Sequence, residues 1–114
     1  MMMLKSQIRM STHRPYEIPR SLDELHGPGL GSVLCLNHSI IWAPDSQSIE
    51  LHDLDDVHFA YTALINNGTS EDQEHFMNRD LLLRVWPKLF LPWRVYRLWQ
   101  EAFPELPANR FNYV

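Results

Sequence analysis

At 114 residues the chain has the length of one domain, and a chain of this size buries about two-thirds of its unfolded surface. A hydrophobic content of 45% with 11% aromatic residues excludes global disorder, and a net charge of −4 argues against a dedicated nucleic-acid binder. The single cysteine, Cys35, excludes an intrachain disulfide and reads as a buried, inert thiol within an apolar run.

No apolar run approaches the roughly 18 residues needed to span a membrane. The N-terminus lacks the continuous apolar core of a secretory signal, so a cytoplasmic location is expected. Residues 1–20 are expected to be a flexible basic leader: Lys5, Arg9, Arg14 and Arg20 stand against one acid, Glu17, and Met10 is a candidate natural start. Such an arm suits an acidic partner or nucleic acid. Ser21 with Glu24 three residues on forms a capping-box pattern, which predicts a short helix over 22–25 that stops at Gly27, Pro28 and Gly29.

Residues 31–51 read as strands. The apolar run 33–36, a turn at Asn37-His38, a strand at 39–42, a turn at Pro44-Asp45-Ser46 and an alternating strand at 48–51 predict a three-stranded antiparallel meander. Asp53 should cap the next helix, whose first-turn acids Asp55 and Asp56 oppose the positive end of the helix dipole. Leu54, Val57, Ala60, Tyr61, Leu64 and Ile65 form its buried stripe, and Gly68 is the expected stop. Phe59 projects off the stripe, either against a neighbouring helix or as an exposed contact. Ser70 with Gln73 predicts a second capping box and a short helix over 71–77. Asn78 can cap a further helix that ends near Val85, because Pro87 disfavours helical geometry at Trp86.

Residues 79–106 are the stretch around which the chain is organised. They hold three of the four tryptophans and five of the ten Lys and Arg residues. Pro92 suits a first helical position, and Val95, Leu98, Trp99, Ala102, Phe103 and Leu106 then share one stripe. Pro104 should end the regular helix and leave Leu106 to pack from a following turn. The opposite face collects Trp93, Arg94, Arg97, Gln100 and Glu101. A tryptophan among arginines, away from the apolar stripe, is the candidate contact surface, since Trp and Arg are enriched at interface hot spots. The alternative is that Trp93 packs under the 88–91 turn. The expected fold is therefore α+β: a three-stranded antiparallel meander packed against a C-terminal cluster of four short helices, within a single domain over 21–107, followed by a tail at 108–114.

Charge is unevenly placed. Residues 45–74 hold eight acids and no Lys or Arg, whereas Arg79, Arg84, Lys88, Arg94 and Arg97 face only Asp80 within 79–97. Such asymmetry steers charged partners. His52, Asp53, Asp56 and His58 lie close enough to suggest a metal site, but helix capping already accounts for the acids, so no metal or cofactor is expected. Gly27-Pro28-Gly29-Leu30-Gly31 lacks the Lys-Ser/Thr of a phosphate loop, and no nucleophile elbow or triad spacing is present. No catalytic constellation stands out, and an enzyme is not expected. The helix at 92–103 admits a second reading as a DNA-binding element with Arg94, Arg97 and Gln100 reaching the duplex. The connection before it is long for a helix-turn-helix and contains two prolines.

The order of segments carries a resemblance: "SLDEL", an apolar stretch ending "IIWAPD", "IELHDLDD", "YTALINNGTSED" and "LLLRVWPKLFLPWRVYRLWQEAFPEL". It resembles a group of small uncharacterised actinobacterial proteins encoded beside nucleotidyltransferase-like toxins of the AbiEii abortive-infection class. The shared features are a Trp-x-Pro-Asp-like turn, a Leu-Asp-Asp helix start and a Leu-Trp-Pro corner leading to an Arg-rich helix. This chain has Val85-Trp86-Pro87 at the corner and adds Trp93. The resemblance implies an antitoxin-like protein that docks on its toxin and blocks a basic substrate groove. Either the acidic segment 45–74, with Asp55, Asp56 and Phe59, or the Trp93, Arg94, Arg97 and Gln100 face would make the contact.

Overall fold

Asp53 starts the longest helix. In the computed structural model, which describes residues 16–41 and 48–111, its side chain accepts the Asp56 amide at 3.1 Å. The Asp56 carboxylate in return accepts the amides of His52 (2.9 Å) and Asp53 (3.4 Å). Free amides at the helix start are thus satisfied by side chains. Helix α1 (Leu54–Asn67) buries Val57, Ala60, Tyr61, Leu64 and Ile65, with Leu54 half-buried at the rim. It stops at Gly68, but not by a left-handed turn: φ there is −80°. The glycine is needed for space, because a Cβ would stand 2.7 Å from the Leu64 carbonyl oxygen.

Helix α2 (Ser70–Phe76) begins one residue earlier than its sequence suggests, because Thr69 and Asp72 form the reciprocal cap in place of Ser70 and Gln73. Gln73 is buried instead, and its Nε2 donates to the carbonyls of Leu64 (3.1 Å) and Glu17 (3.0 Å). Helix α3 (Arg79–Val85) is capped by Asn78, whose Oδ1 accepts the Leu81 amide at 3.1 Å. The Asn78 amide donates to the Tyr61 hydroxyl at 2.8 Å. Burial pushes that hydroxyl up to about 12, so it stays protonated at neutral pH.

Strands β1 (Val33–Cys35) and β2 (Ser48–Glu50) pair antiparallel, with Leu34 opposite Ile49. The chain is α+β, but the three-stranded meander is corrected: among the described residues β1 pairs directly with β2, and the expected middle strand begins in a turn. Asn37 is the cause. Its carbonyl accepts the amides of Ile40 (3.0 Å) and Ile41 (3.1 Å), and its Oδ1 accepts the Ser39 amide at 3.0 Å. Such side-chain competition favours a turn over a ladder, and here it tucks Ile40 into the core. Trp42 and the turn expected at 44–46 lie outside the described residues. The expectation of a buried thiol is also overturned. Strand alternation turns Leu34 inward and Val33 and Cys35 outward, so Cys35 is exposed, 3.6 Å from the Ser48 hydroxyl.

The N-terminal turn is a short 3-10 segment, Leu22–Glu24, without a side-chain cap. Glu24 pairs with Arg20 at 3.0 Å rather than closing a box with Ser21. Gly27 then passes tightly over the end of α2: its amide donates to the Met77 carbonyl at 2.8 Å, and a Cβ would meet the Phe76 backbone at 2.3 Å. Contacts extend into the segment expected to be a leader. Glu17 Oε1 accepts the Ser70 amide at 2.8 Å. The Arg20 guanidinium forks onto Glu74, with Nε at 3.2 Å and Nη2 at 3.0 Å, and the Arg20 amide adds a bond at 2.8 Å.

The Arg20 guanidinium and amide hold the Glu74 carboxyl below its ordinary range. A group whose folded pKa is depressed stabilises the fold above its unfolded pKa and loses that contribution as pH falls through the folded value. Thermal stability of the native protein should therefore drop as the pH falls below about 4. The Glu74→Gln variant should show a shallower acid limb in melting temperature against pH. Identical acid limbs would contradict this role.

Candidate partner-binding site

The site is built by the corner between α3 and α4 (Trp93–Ala102). Helix α3 ends at Val85 as the proline rule requires, and a 3-10 turn, Trp86–Lys88, follows. Pro92 stands just before α4 as its N-cap residue, one place earlier than expected, with φ −56° and ψ 145°. Trp86 is buried and lies against Trp99, ring centres 6.1 Å apart and 30° from parallel, while Tyr96 meets Trp86 edge-on at 6.2 Å.

A corner of this kind strands backbone groups away from water, and each must find a partner. The buried Tyr96 hydroxyl serves two of them: it accepts the Leu91 amide at 2.7 Å and donates to the Leu89 carbonyl at 2.9 Å. Asn109, buried in the segment expected to be a tail, donates through Nδ2 to the carbonyls of Leu89 (2.9 Å) and Trp86. The Arg110 amide adds a bond to the Pro87 carbonyl at 2.9 Å. Leu89 and Leu91 point inward, so the extended chain between them turns Phe90 outward, 69% exposed and edge-on to Phe111 at 5.3 Å.

Helix α4 buries Val95, Tyr96 and Trp99, and past Pro104 the chain brings in Leu106, whose amide donates to the Phe103 carbonyl at 3.1 Å. Tyr96 was not part of the expected stripe, Leu98 is half-buried, and Ala102 is exposed. The stripe is rotated toward Tyr96 because the hydroxyl has to reach the corner.

The outward face is where the sequence places it. Trp93 is 54% exposed and does not pack under the 88–91 turn. The guanidinium carbons of Arg94 and Arg97 stand 5.5 and 5.9 Å from its ring centre. Each is within cation–π range. Arg97 also reaches Glu101 at 3.5 Å. Trp93, Arg94, Arg97, Leu98 and Glu101 line an open groove of about 330 Å³. Gln100 is half-buried beside it.

Phe59, Asp55 and Asp56 sit elsewhere. Phe59 is 59% exposed on α1, where Asp55 shares its face four residues earlier. Asp55 lines a smaller hollow of about 120 Å³ with Leu54, His58, Arg84, Val85 and Lys88, and His58 Nε2 lies 3.2 Å from the Lys88 carbonyl. Among the described residues, no hydrogen bond or ring contact joins this set to Trp93. The carboxylate of Asp56 is committed to the α1 cap.

The acidic run is depleted in the same way. Asp53, Asp56 and Asp72 cap helices, Glu74 holds Arg20, and Glu50 lies 3.3 Å from His52. Asp45 lies outside the described residues, and among the remainder Asp55 and Glu71 alone hold no hydrogen bond or ion pair. No group of three His, Cys, Asp or Glu side chains among the described residues is placed to hold a metal ion. No helix among them is long and apolar enough to cross a membrane.

Sequence reasoning overlooked Phe90 and Asn109, and it assigned Leu98 to the buried stripe, whereas Leu98 is half-buried and lines the groove. The alternation Leu89-Phe90-Leu91 carries the signal for Phe90, because extended chain turns every second side chain outward. Nothing local marks Asn109, whose partners lie 20 and 23 residues away. Comparison with protein-family models, curated proteins and solved structures finds no match to this chain.

Removing the Tyr96 hydroxyl leaves the buried Leu91 amide without an acceptor, whereas the Leu89 carbonyl keeps Asn109. The Tyr96→Phe variant should lose about 1–3 kcal/mol of stability in urea unfolding. A loss below about 0.5 kcal/mol, the usual range of a surface substitution, would show that the corner does not depend on this group.

Proposed function

We propose that this protein is an antitoxin-like binding protein of the cytoplasm, which neutralises a nucleotidyltransferase-type toxin by occluding its substrate groove. The observation that carries the reading is the outward face of α4: a half-exposed tryptophan flanked by two arginines on a helix whose other face is anchored in the core. Large aromatic and Arg side chains held on a rigid element are the residue types that dominate binding energy between proteins. The resemblance of the segment order to that of proteins encoded beside such toxins is what suggests this class of partner.

The acidic segment is the weaker candidate for the contact. Most of its described carboxylates are already bonded within the chain, so turning them toward a partner would cost existing bonds. Asp55 and Phe59 remain available as a secondary contact on α1. The rival reading, a DNA-binding regulator using α4, has less support. Seven residues separate Val85 from Trp93, and Arg97 is already shared with Glu101.

The test is co-expression with the neighbouring gene product, followed by gel filtration and a mobility-shift assay on the promoter. Co-elution is expected for the native protein and is expected to be lost in the Trp93→Ala, Arg94→Ala double variant, with no shift of promoter DNA. Separate elution at low salt, or a promoter shift abolished by Arg94→Ala, would overturn the reading.

A further inference from the structure

The arginines on α4 specify what kind of surface Trp93 meets. Both guanidinium groups lie near the indole ring, at 5.5 and 5.9 Å from its centre. A guanidinium carries its N–H donors at its edge, where a carboxylate is bound in a two-point fork. Among the described residues Arg94 has no carboxylate within ion-pair distance, and Arg97 has only the exposed Glu101 at 3.5 Å. Exposed pairs of that kind are weak and exchange readily. Between the two arginines the groove is apolar, formed by Trp93 and the half-buried Leu98.

We infer that the α4 groove binds an acidic protein segment carrying one apolar side chain, which sits against Trp93 and Leu98 while neighbouring carboxylates take Arg94 and displace Glu101 from Arg97. Charge complementarity selects this occupant. A nucleic-acid strand would bring a run of phosphates to a groove with only two cations and an acid at its rim. An acidic peptide needs only two forks and one apolar contact. Both arginines already lie within cation–π range of Trp93 in the unbound chain, which limits the conformational freedom lost on docking. The inference rests on the reading of α4 as the docking face and adds that the part of the partner it grips is an acidic segment beside the basic substrate groove, not the groove itself.

The experiment titrates the full chain with a short synthetic peptide of Asp and Glu around one Leu, following the Trp93 indole and the Arg94 and Arg97 side chains by NMR. Two further titrations use the same peptide with Lys in place of the acids, and single-stranded oligouridylate. The acidic peptide should move the Trp93, Arg94 and Arg97 signals, and the Lys peptide should not. Arg94→Glu should weaken binding about tenfold, with a far-ultraviolet spectrum and melting temperature like those of the native protein. Removing the central Leu should weaken it as well. No movement at Trp93, equal movement with the Lys peptide, or tighter binding of oligouridylate would overturn the inference. A toxin that co-elutes while the acidic peptide leaves Trp93 unmoved defeats this inference alone. An acidic peptide that binds while the toxin elutes separately defeats the antitoxin reading alone.

Discussion

The hydroxyl of Tyr96 is the group on which the presentation of α4 depends. A chain that turns between two helices through Pro87 and Pro92 cannot carry helical hydrogen bonds across the turn. Without the Tyr96 hydroxyl the Leu91 amide would be stranded in an apolar interior, and the Leu89 carbonyl would keep only Asn109. Tyr96 reaches back from α4 and satisfies the Leu91 amide and the Leu89 carbonyl, and Asn109 closes the remainder from the far side. The same Tyr ring packs edge-on against Trp86, which lies against Trp99. Packing and hydrogen bonding thus fix one rotation of α4 about its axis. That rotation turns Val95 and Trp99 inward and leaves Trp93, Arg94 and Arg97 outside.

Binding and folding are separated on this helix. The residues that hold α4 are buried aromatics on one side, and the residues proposed to meet a partner stand on the other. The groove has no enclosing wall, and its ionisable groups do not converge on a buried point. A surface of this type suits the capture of a macromolecular segment, where a few anchored side chains carry the affinity and their rigidity limits the entropic cost. Elsewhere, Arg20 and Glu74 tie the chain before the first turn to α2. Polar side chains there serve the fold, and the local excess of acids is a record of helix starts more than of a binding face.

How far the sequence could be read follows from the range of each interaction. Asp53, Asn78 and Pro87 act on neighbours within a few residues, and the helix boundaries they set were legible. Helical periodicity also separates Trp93 from Val95 and Trp99, but it left open whether the ring packs under the 88–91 turn; the 54% exposure of Trp93 comes from the structure. The failures involve competition or distance. Asn37 offers both a turn and a hairpin, and only the burial of Ile40 decides between them. Thr69 and Ser70 are both good caps, and the demand of Gln73 for the Leu64 and Glu17 carbonyls selects Thr69. Cys35 followed from strand phase, which depends on Leu34 facing the core. Asn109 could not be found by pattern, because its role exists only once the corner has folded against it.

The central claim is that one corner buries Trp86 and Trp99 while holding Trp93 open to solvent. Hydrogen exchange of the indole N–H groups, resolved by NMR and assigned with a Trp93→Phe variant, measures it directly. The account predicts that the Trp86 and Trp99 indoles exchange slowly, on the timescale of unfolding, while Trp93 exchanges close to the rate of a free indole. Protection of Trp93 comparable to that of Trp99 in the isolated protein would contradict it.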